Sequence, residues 1–246
     1  MREERRGPFP GNVSLSVSNA QDVGIMQMNN SRHLKWVGFA AWVGFGSSFI
    51  FSDLLTLPVD LYYLIYFGIL TVFFSAYIRK TKFNIKEWFS KRWVWSVLLG
   101  LIFGALMVQK VLSGPETVRF TGAYLAWLIF WRGIVYGVID GFFLSAFPWI
   151  VTWRAFDVSK KSLGKKIAFG FLAWLFILFV TTAYHLGYSD FRSVKIIQPN
   201  IGNTIISIPT LITANPLGSP ITHAIMHIAA VIHSPKTDLF LPPHRD

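Results

Sequence analysis

The sequence predicts an all-α fold, a polytopic transmembrane helix bundle of about six spans. Three observations predict it. Apolar stretches recur at about 34–52, 58–78, 93–112, 121–153 and 167–187, each long enough for the ~20 helical residues that cross a hydrocarbon core of ~30 Å. The 246 residues are 53% hydrophobic and only 14% charged, with a mean hydropathy of +0.47, whereas a soluble domain carries roughly 25% charged residues. The lysines and arginines also alternate between rich and poor connecting stretches. With 12 acidic residues in the whole chain, an ordinary soluble surface could not be solvated, which argues against a soluble enzyme and against disorder. Cysteine is absent, which removes disulfides, thiolate metal sites, iron–sulfur clusters and a cysteine nucleophile together.

Residues 1–33 read as a flexible polar arm, broken by Pro8, Pro10 and Gly11. No apolar run followed by a small-residue cleavage site is present, so the arm is not a cleavable signal peptide. Translation could begin at Met1, Met26 or Met28. The bundle then occupies 34–234, and 235–246 forms a short tail. Residues 1–36 hold Arg2, Arg5, Arg6, Arg32 and Lys35, and residues 53–60 hold Asp53 and Asp60 without a cation. Residues 79–92 hold Arg79, Lys80, Lys82, Lys86, Lys91 and Arg92, whereas 110–119 hold only Lys110 and Arg119. Residues 154–166 are again rich and 188–202 again poor. This alternation places the N-terminus in the cytoplasm. It accounts for most of the net charge of +11 without nucleic acid, and it leaves the lipid bilayer as the expected partner. Trp36, Trp88, Trp93, Trp95, Trp149 and Trp153 fall near the expected cytoplasmic boundary, which suits amphipathic rings. Asn84–Arg92 has the pattern of a short interfacial helix. Trp42 and Trp174 read as packing residues.

The last third breaks the pattern. Segments 203–214 and 220–234 are each short for a span and are separated by Asn215-Pro216-Leu217-Gly218-Ser219-Pro220. The element at 203–234 is either one interrupted span with a cytoplasmic C-terminus or a pair of short helices. Broken backbone at membrane depth is tolerated only within protein or beside a watery cavity, so both readings put Asn215–His223 in the interior.

Ionisable residues left inside apolar segments are functional candidates because each costs several kcal/mol at mid-bilayer. They are Arg132, Asp140, His185, His223 and His227, with His233 near an end. Asp140 has only Tyr136 and Ser145 as polar neighbours along its segment. It lies ~21 Å from Arg154 along a helix, beside a stripe of Gly133, Gly137, Gly141 and Ser145 that lets another helix approach closely. His223 and His227 are four apart and share a helix face. If their helix runs inward toward Lys236, His223 lies ~20 Å deep, level with Asp140. His185, ~28 Å from Lys166, needs a kink or a recessed cavity to reach that level. Arg132, ~33 Å from Arg154, is expected to snorkel to the outer interface rather than pair with Asp140.

One carboxylate with two or three histidines can activate water, bind a divalent metal or relay protons. A paired-carboxylate protease is excluded because only Asp140 is deep. A zincin is excluded because Ala224, not Glu, follows His223. Ser145 lacks the Gly-rich setting of a serine nucleophile. Asp140, His185, His223 and His227 remain a possible three- or four-ligand zinc set, although no cofactor is required by the sequence.

The order of an acid on one long helix, His185-Leu186-Gly187 ending the next, and His223-x-x-x-His227 after a Gly-Ser-Pro break resembles the CPBP intramembrane protease family. That family includes CAAX prenyl proteases, bacteriocin-processing enzymes and abortive-infection proteins. The resemblance covers roughly 120–234. It implies an intramembrane peptidase acting on a peptide or protein substrate, with Asp140 as base and His185 and His223 as oxyanion or ligand groups. The family pattern departs here in three places. Asp140-Gly141 replaces a glutamate pair and Leu144 its arginine, Thr181 replaces a phenylalanine, and His227 replaces an asparagine or aspartate. The hydrolytic site is therefore divergent or lost. The alternative is a non-enzymatic membrane protein, such as a proton- or metal-linked transporter or an assembly factor.

Overall fold

The computed structural model describes residues 32–236 and 241–242. Nearly all of the expected arm, including Met26 and Met28, and most of the expected tail lie outside the described residues. Among the described residues the chain is helical and contains no strand. Five helices are long and apolar enough to cross a membrane: α1 (Arg32–Leu54), α2 (Val59–Thr81), α4 (Trp93–Leu112), α5 (Gly122–Ala155) and α6 (Leu163–Leu186). They coincide with the five apolar stretches, and the protein is a multi-pass integral membrane protein. A short helix, α3 (Ile85–Ser90), joins α2 to α4. The last third folds as α7 (Ile197–Thr213) and α8 (Gly218–His233).

Contacts between helix ends show which of the long helices finish together. Arg154, near the end of α5, donates to Thr81 at the end of α2, to its hydroxyl at 2.7 Å and its carbonyl at 2.6 Å. Arg192, after α6, donates to Asp53 of α1 at 2.9 Å. At this opposite end His233 accepts from the Thr117 backbone N–H at 3.3 Å through its carbonyl. The bundle thus has an Arg154 end and a His233 end.

The short helix α3 begins where the sequence places it. Asn84 caps it by accepting from the Glu87 N–H at 3.2 Å. The Lys91 ammonium, 2.8 Å from Glu87, holds that exposed carboxyl below its ordinary value. Trp88 packs edge-on against Trp149 at 5.6 Å. The tryptophan assignment needs correction. Trp149 and Trp153 belong to the buried core, while Trp42, read as a packing residue, is 73% exposed on the outer face. Lipid solvates an indole on that face, so burial in protein is not required there.

Helices α7 and α8 form a hairpin rather than one interrupted span. Their 17 and 16 residues reach ~24–26 Å each. The reversal uses Ala214 in the left-handed region, at φ 52°, and is held by Asn215. The Asn215 amide donates to the carbonyls of Phe89 at 3.1 Å and Lys91 at 2.6 Å. Its Oδ1 accepts from the Leu217 N–H at 2.9 Å, and its carbonyl accepts from Ser96 at 3.3 Å. One fully buried side chain therefore satisfies the carbonyls that end α3 and sets the hairpin turn. Asn215→Ala is expected to lower stability by about 1–3 kcal/mol, the usual cost of orphaned buried partners. Asn215→Asp should be no better, because a carboxylate cannot donate to those carbonyls. An unchanged unfolding temperature in detergent for both variants would contradict this role.

The turn lies near α3 at the Arg154 end, so α8 runs toward the His233 end. The helix thus leads away from the Arg154 end, whereas the depth of His223 was first placed on a course leading toward it. The helix α8 sits between two glycine faces. A Cβ built at Gly104 of α4 would meet Ile225 at 2.6 Å. On the α5 side, Cβ atoms at Gly137 and Gly141 would lie 2.6 Å from Ala224 Cα and 2.6 Å from His223 Cβ. Ser145, the fourth member of the stripe, instead donates to Asn203 of α7 at 2.6 Å. Two π-helical stretches, Ile129–Val135 and Phe142–Ala146, interrupt α5. An α-helix rotates residues four apart by ~40°, and π turns rotate them the other way. The first π stretch offsets this drift between Gly133 and Gly137, and Gly133, Gly137 and Gly141 all face α8.

Candidate functional site

The close approach of α8 to α5 brings its histidines onto Asp140. One Asp140 oxygen accepts from the Tyr66 hydroxyl at 2.8 Å. The other lies 3.8 Å from His223 Nε2. His223 and His227 stack with ring centroids 4.7 Å apart, and His227 meets the Tyr136 ring edge-on at 5.0 Å. All three ionisable side chains are buried, Asp140 and His227 at 3% exposure and His223 at 5%. His223 Nδ1 and both nitrogens of His227 have no hydrogen-bond partner. One ligand atom from each of Asp140, His223 and His227 can be chosen so that all lie within 4.8 Å of one another. Among the described residues these three are the ones placed to hold a metal.

His185 is placed differently. It lines the same cavity but does not belong to that cluster. Its Nδ1 lies 2.8 Å from the Thr181 carbonyl. A carbonyl only accepts, so Nδ1 carries the proton and a neutral ring offers Nε2 as an acceptor. Arg132 neither snorkels alone nor pairs with Asp140. It forms a two-pronged ion pair with Asp60 at the start of α2, at 2.9 and 3.0 Å, because the N-terminus of α2 and the N-terminal part of α5 meet there. His233, at the far end of α8, lies with Nε2 3.2 Å from the Gly114 carbonyl.

Two polar networks were missed in the sequence. The first is a set of tyrosines around Asp140. Tyr136 and Tyr184 hydroxyls lie 2.8 Å apart, Tyr184 and Tyr188 2.6 Å, and Tyr62 and Tyr188 2.7 Å. With Tyr66 they join α2, α5 and α6 and its following turn around the carboxylate. Their signal was the i, i+4 spacing of Tyr62 with Tyr66 and of Tyr184 with Tyr188, which puts the first pair on one helix face. The second network is centred on Asn203, which accepts from Ser145 and donates to Thr181. It ties α7 to α5 and α6, and Asn203 also borders the cavity.

The cavity holds about 410 Å³. Asp140, Tyr136, His223 and His227 form its buried floor, and Lys110 and Gln198 stand exposed at its rim. Those rim residues lie at the His233 end, at the close of α4 and the start of α7. At the Arg154 end α4 and α7 are tied together, Thr213 donating to Ser96 at 3.3 Å. The cavity therefore opens toward one end of the bundle, with Met107 and Ile206 among its mainly apolar walls. Such a chamber can hold an extended apolar group above a carboxylate and two imidazoles that are able to position water or a cation. Comparison with models of protein families, with curated proteins and with solved structures finds no match.

Proposed function

We propose that the protein is an intramembrane hydrolase of the peptidase type, related in design to the CPBP enzymes that its motif order resembles. The observation that carries this reading is the Asp140–His223 pair, 3.8 Å apart, at the floor of a cavity that opens at one end. A water between them is polarised by both. Asp140 accepts its proton as the water oxygen bonds to the carbonyl carbon of a peptide. The proton then passes to the departing amine as the C–N bond breaks. An N–H of neutral His223 faces the developing oxyanion. His185, whose free Nε2 is an acceptor, contacts substrate rather than stabilising the oxyanion. The loss of the glutamate pair is compensated in this reading by the tyrosines, since Tyr66 orients the single carboxylate. Transport requires access from both ends, and the contacts that close the Arg154 end count against it.

The test is cleavage of peptides drawn from membrane-spanning segments by the full chain in liposomes, followed by mass spectrometry. Wild type is expected to cleave, and Asp140→Asn to lower kcat/KM by about 10²–10⁴-fold, the usual contribution of a general base. Equal turnover by both proteins, or no cleavage by wild type across such a library, rejects the reading.

A further inference from the structure

We infer that Asp140, His223 and His227 form a binding site for one divalent transition-metal ion, open to the cavity on its remaining side. Three unpartnered imidazole nitrogens within the core carry the inference. Leaving a buried donor or acceptor unsatisfied costs stability each time, and His227 does so at both nitrogens. A bound cation takes up one lone pair from each ring and the carboxylate charge together.

The geometry suits this use. On a tetrahedral zinc at ~2.0–2.1 Å from each ligand, ligand atoms lie ~3.4 Å apart. The present set lies within 4.8 Å, so side-chain rotations of about an ångström close it around an ion. The i, i+4 spacing on α8 supplies two nitrogens from one rigid face, and Asp140 closes the set from α5. Tyr66 holds the other carboxylate oxygen at 2.8 Å, the kind of outer contact that orients a metal-binding carboxylate. No lysine or arginine is among the hydrogen-bond and ion-pair partners of Asp140 in the described residues, so no bound cation competes for it. Two imidazoles and one carboxylate suit zinc or ferrous iron, and both leave open positions for water or substrate with such a set. His185 lies outside the set.

Metal binding stands on this geometry whether or not the protein hydrolyses peptides. If it does, Asp140, His223 and His227 would hold an ion that polarises the water which the hydrolytic reading places beside Asp140.

The experiment uses the full chain in detergent, free of any affinity histidines, stripped with chelator and dialysed separately against Zn²⁺, anaerobic Fe²⁺ and Co²⁺. Expected are about one ion per chain by elemental analysis and, for Co²⁺, an X-ray absorption shell with two imidazoles. Asp140→Asn and His227→Gln are each expected to weaken binding by at least ~10-fold, whereas His233→Gln leaves it unchanged. The relative retention of Zn²⁺ and Fe²⁺ identifies the preferred ion. Less than about a tenth of an ion per wild-type chain at micromolar free metal, or cobalt without imidazole scattering, overturns the site. So does undiminished binding in both variants. The wild-type arms decide the matter even if a variant fails to fold. Cleavage by a protein that binds no metal leaves the hydrolytic reading standing and removes this one, and metal binding by a protein that cleaves no peptide does the reverse.

Discussion

Gly137→Leu is expected to yield no stably folded protein, and even Gly137→Ala to be costly. The Cβ of any residue at 137 would lie 2.6 Å from Ala224 Cα and 3.1 Å from its backbone nitrogen. Flexible side chains can rotate away from a new methyl, but a helix backbone cannot. The two helices must separate, and Gly133 and Gly141 lose their contacts with Ile228 and His223 as they do. Overpacking by one methyl in a tight core costs about 1–3 kcal/mol, and Leu extends the clash well beyond a methyl. The same separation draws His223 away from Asp140, so any folded Gly137→Ala protein should also lose metal binding. Two comparisons make the prediction specific. Ala224→Gly should not rescue Gly137→Ala, because the nearest atom is Cα rather than a methyl. Gly68→Ala in α2 should be tolerated, because nothing lies within 4 Å of the Cβ it would add. Yield of monodisperse protein and unfolding temperature in detergent measure all four variants. A well-folded Gly137→Leu would mean that α5 and α8 are not packed as described.

Asp60→Asn is expected to destabilise more than Arg132→Met, although both break the same ion pair. The Arg132 side chain is 10% exposed and that of Asp60 43%. Without Asp60 the guanidinium is left buried with no counter-charge, and removing one partner of a buried pair costs about 3–5 kcal/mol. Partial exposure on the Asp60 side reduces this to about 2 kcal/mol by solvent screening. Without Arg132, Asp60 can hydrate where it stands, and Met fills much of the vacated volume. Replacing both residues together should therefore cost less than Asp60→Asn alone. Unfolding measurements on the two single variants and the double variant close this cycle. Equal losses for the two single variants would show that the pair is solvated at both partners.

The parts of the site that could be read from the sequence were those carried by residue type against an apolar background. Asp140 stands out because a lone acid in a span is expensive, and His223 and His227 because their spacing places them on one face. The glycine stripe was readable for the same reason. Arg132 was not, since its partner Asp60 is 72 residues away in what reads as a connecting stretch. Nor were the tyrosines, whose hydroxyls look innocuous one segment at a time and matter only when α2, α5 and α6 converge. His185 shows the limit in the other direction. As an ionisable residue in an apolar segment it suggested a ligand, yet its Nδ1 is committed to the Thr181 carbonyl one turn earlier and it lies outside the Asp140 cluster.

Taken alone, the sequence determined the all-helical class, the five long spans, the short helix after α2 and the buried character of the break near Asn215. These follow from composition and periodicity along consecutive residues, which local backbone geometry and the thickness of a bilayer convert directly into helices. Only the tertiary structure decided that the last third is a hairpin, that α8 runs toward the His233 end, and that Asp140 meets His223, His227 and Tyr66 at the floor of a cavity open at one end. Those outcomes depend on how helices rotate and cross. The backbone-to-backbone approach allowed at Gly137 and Gly141 sets that crossing, and no single segment contains it.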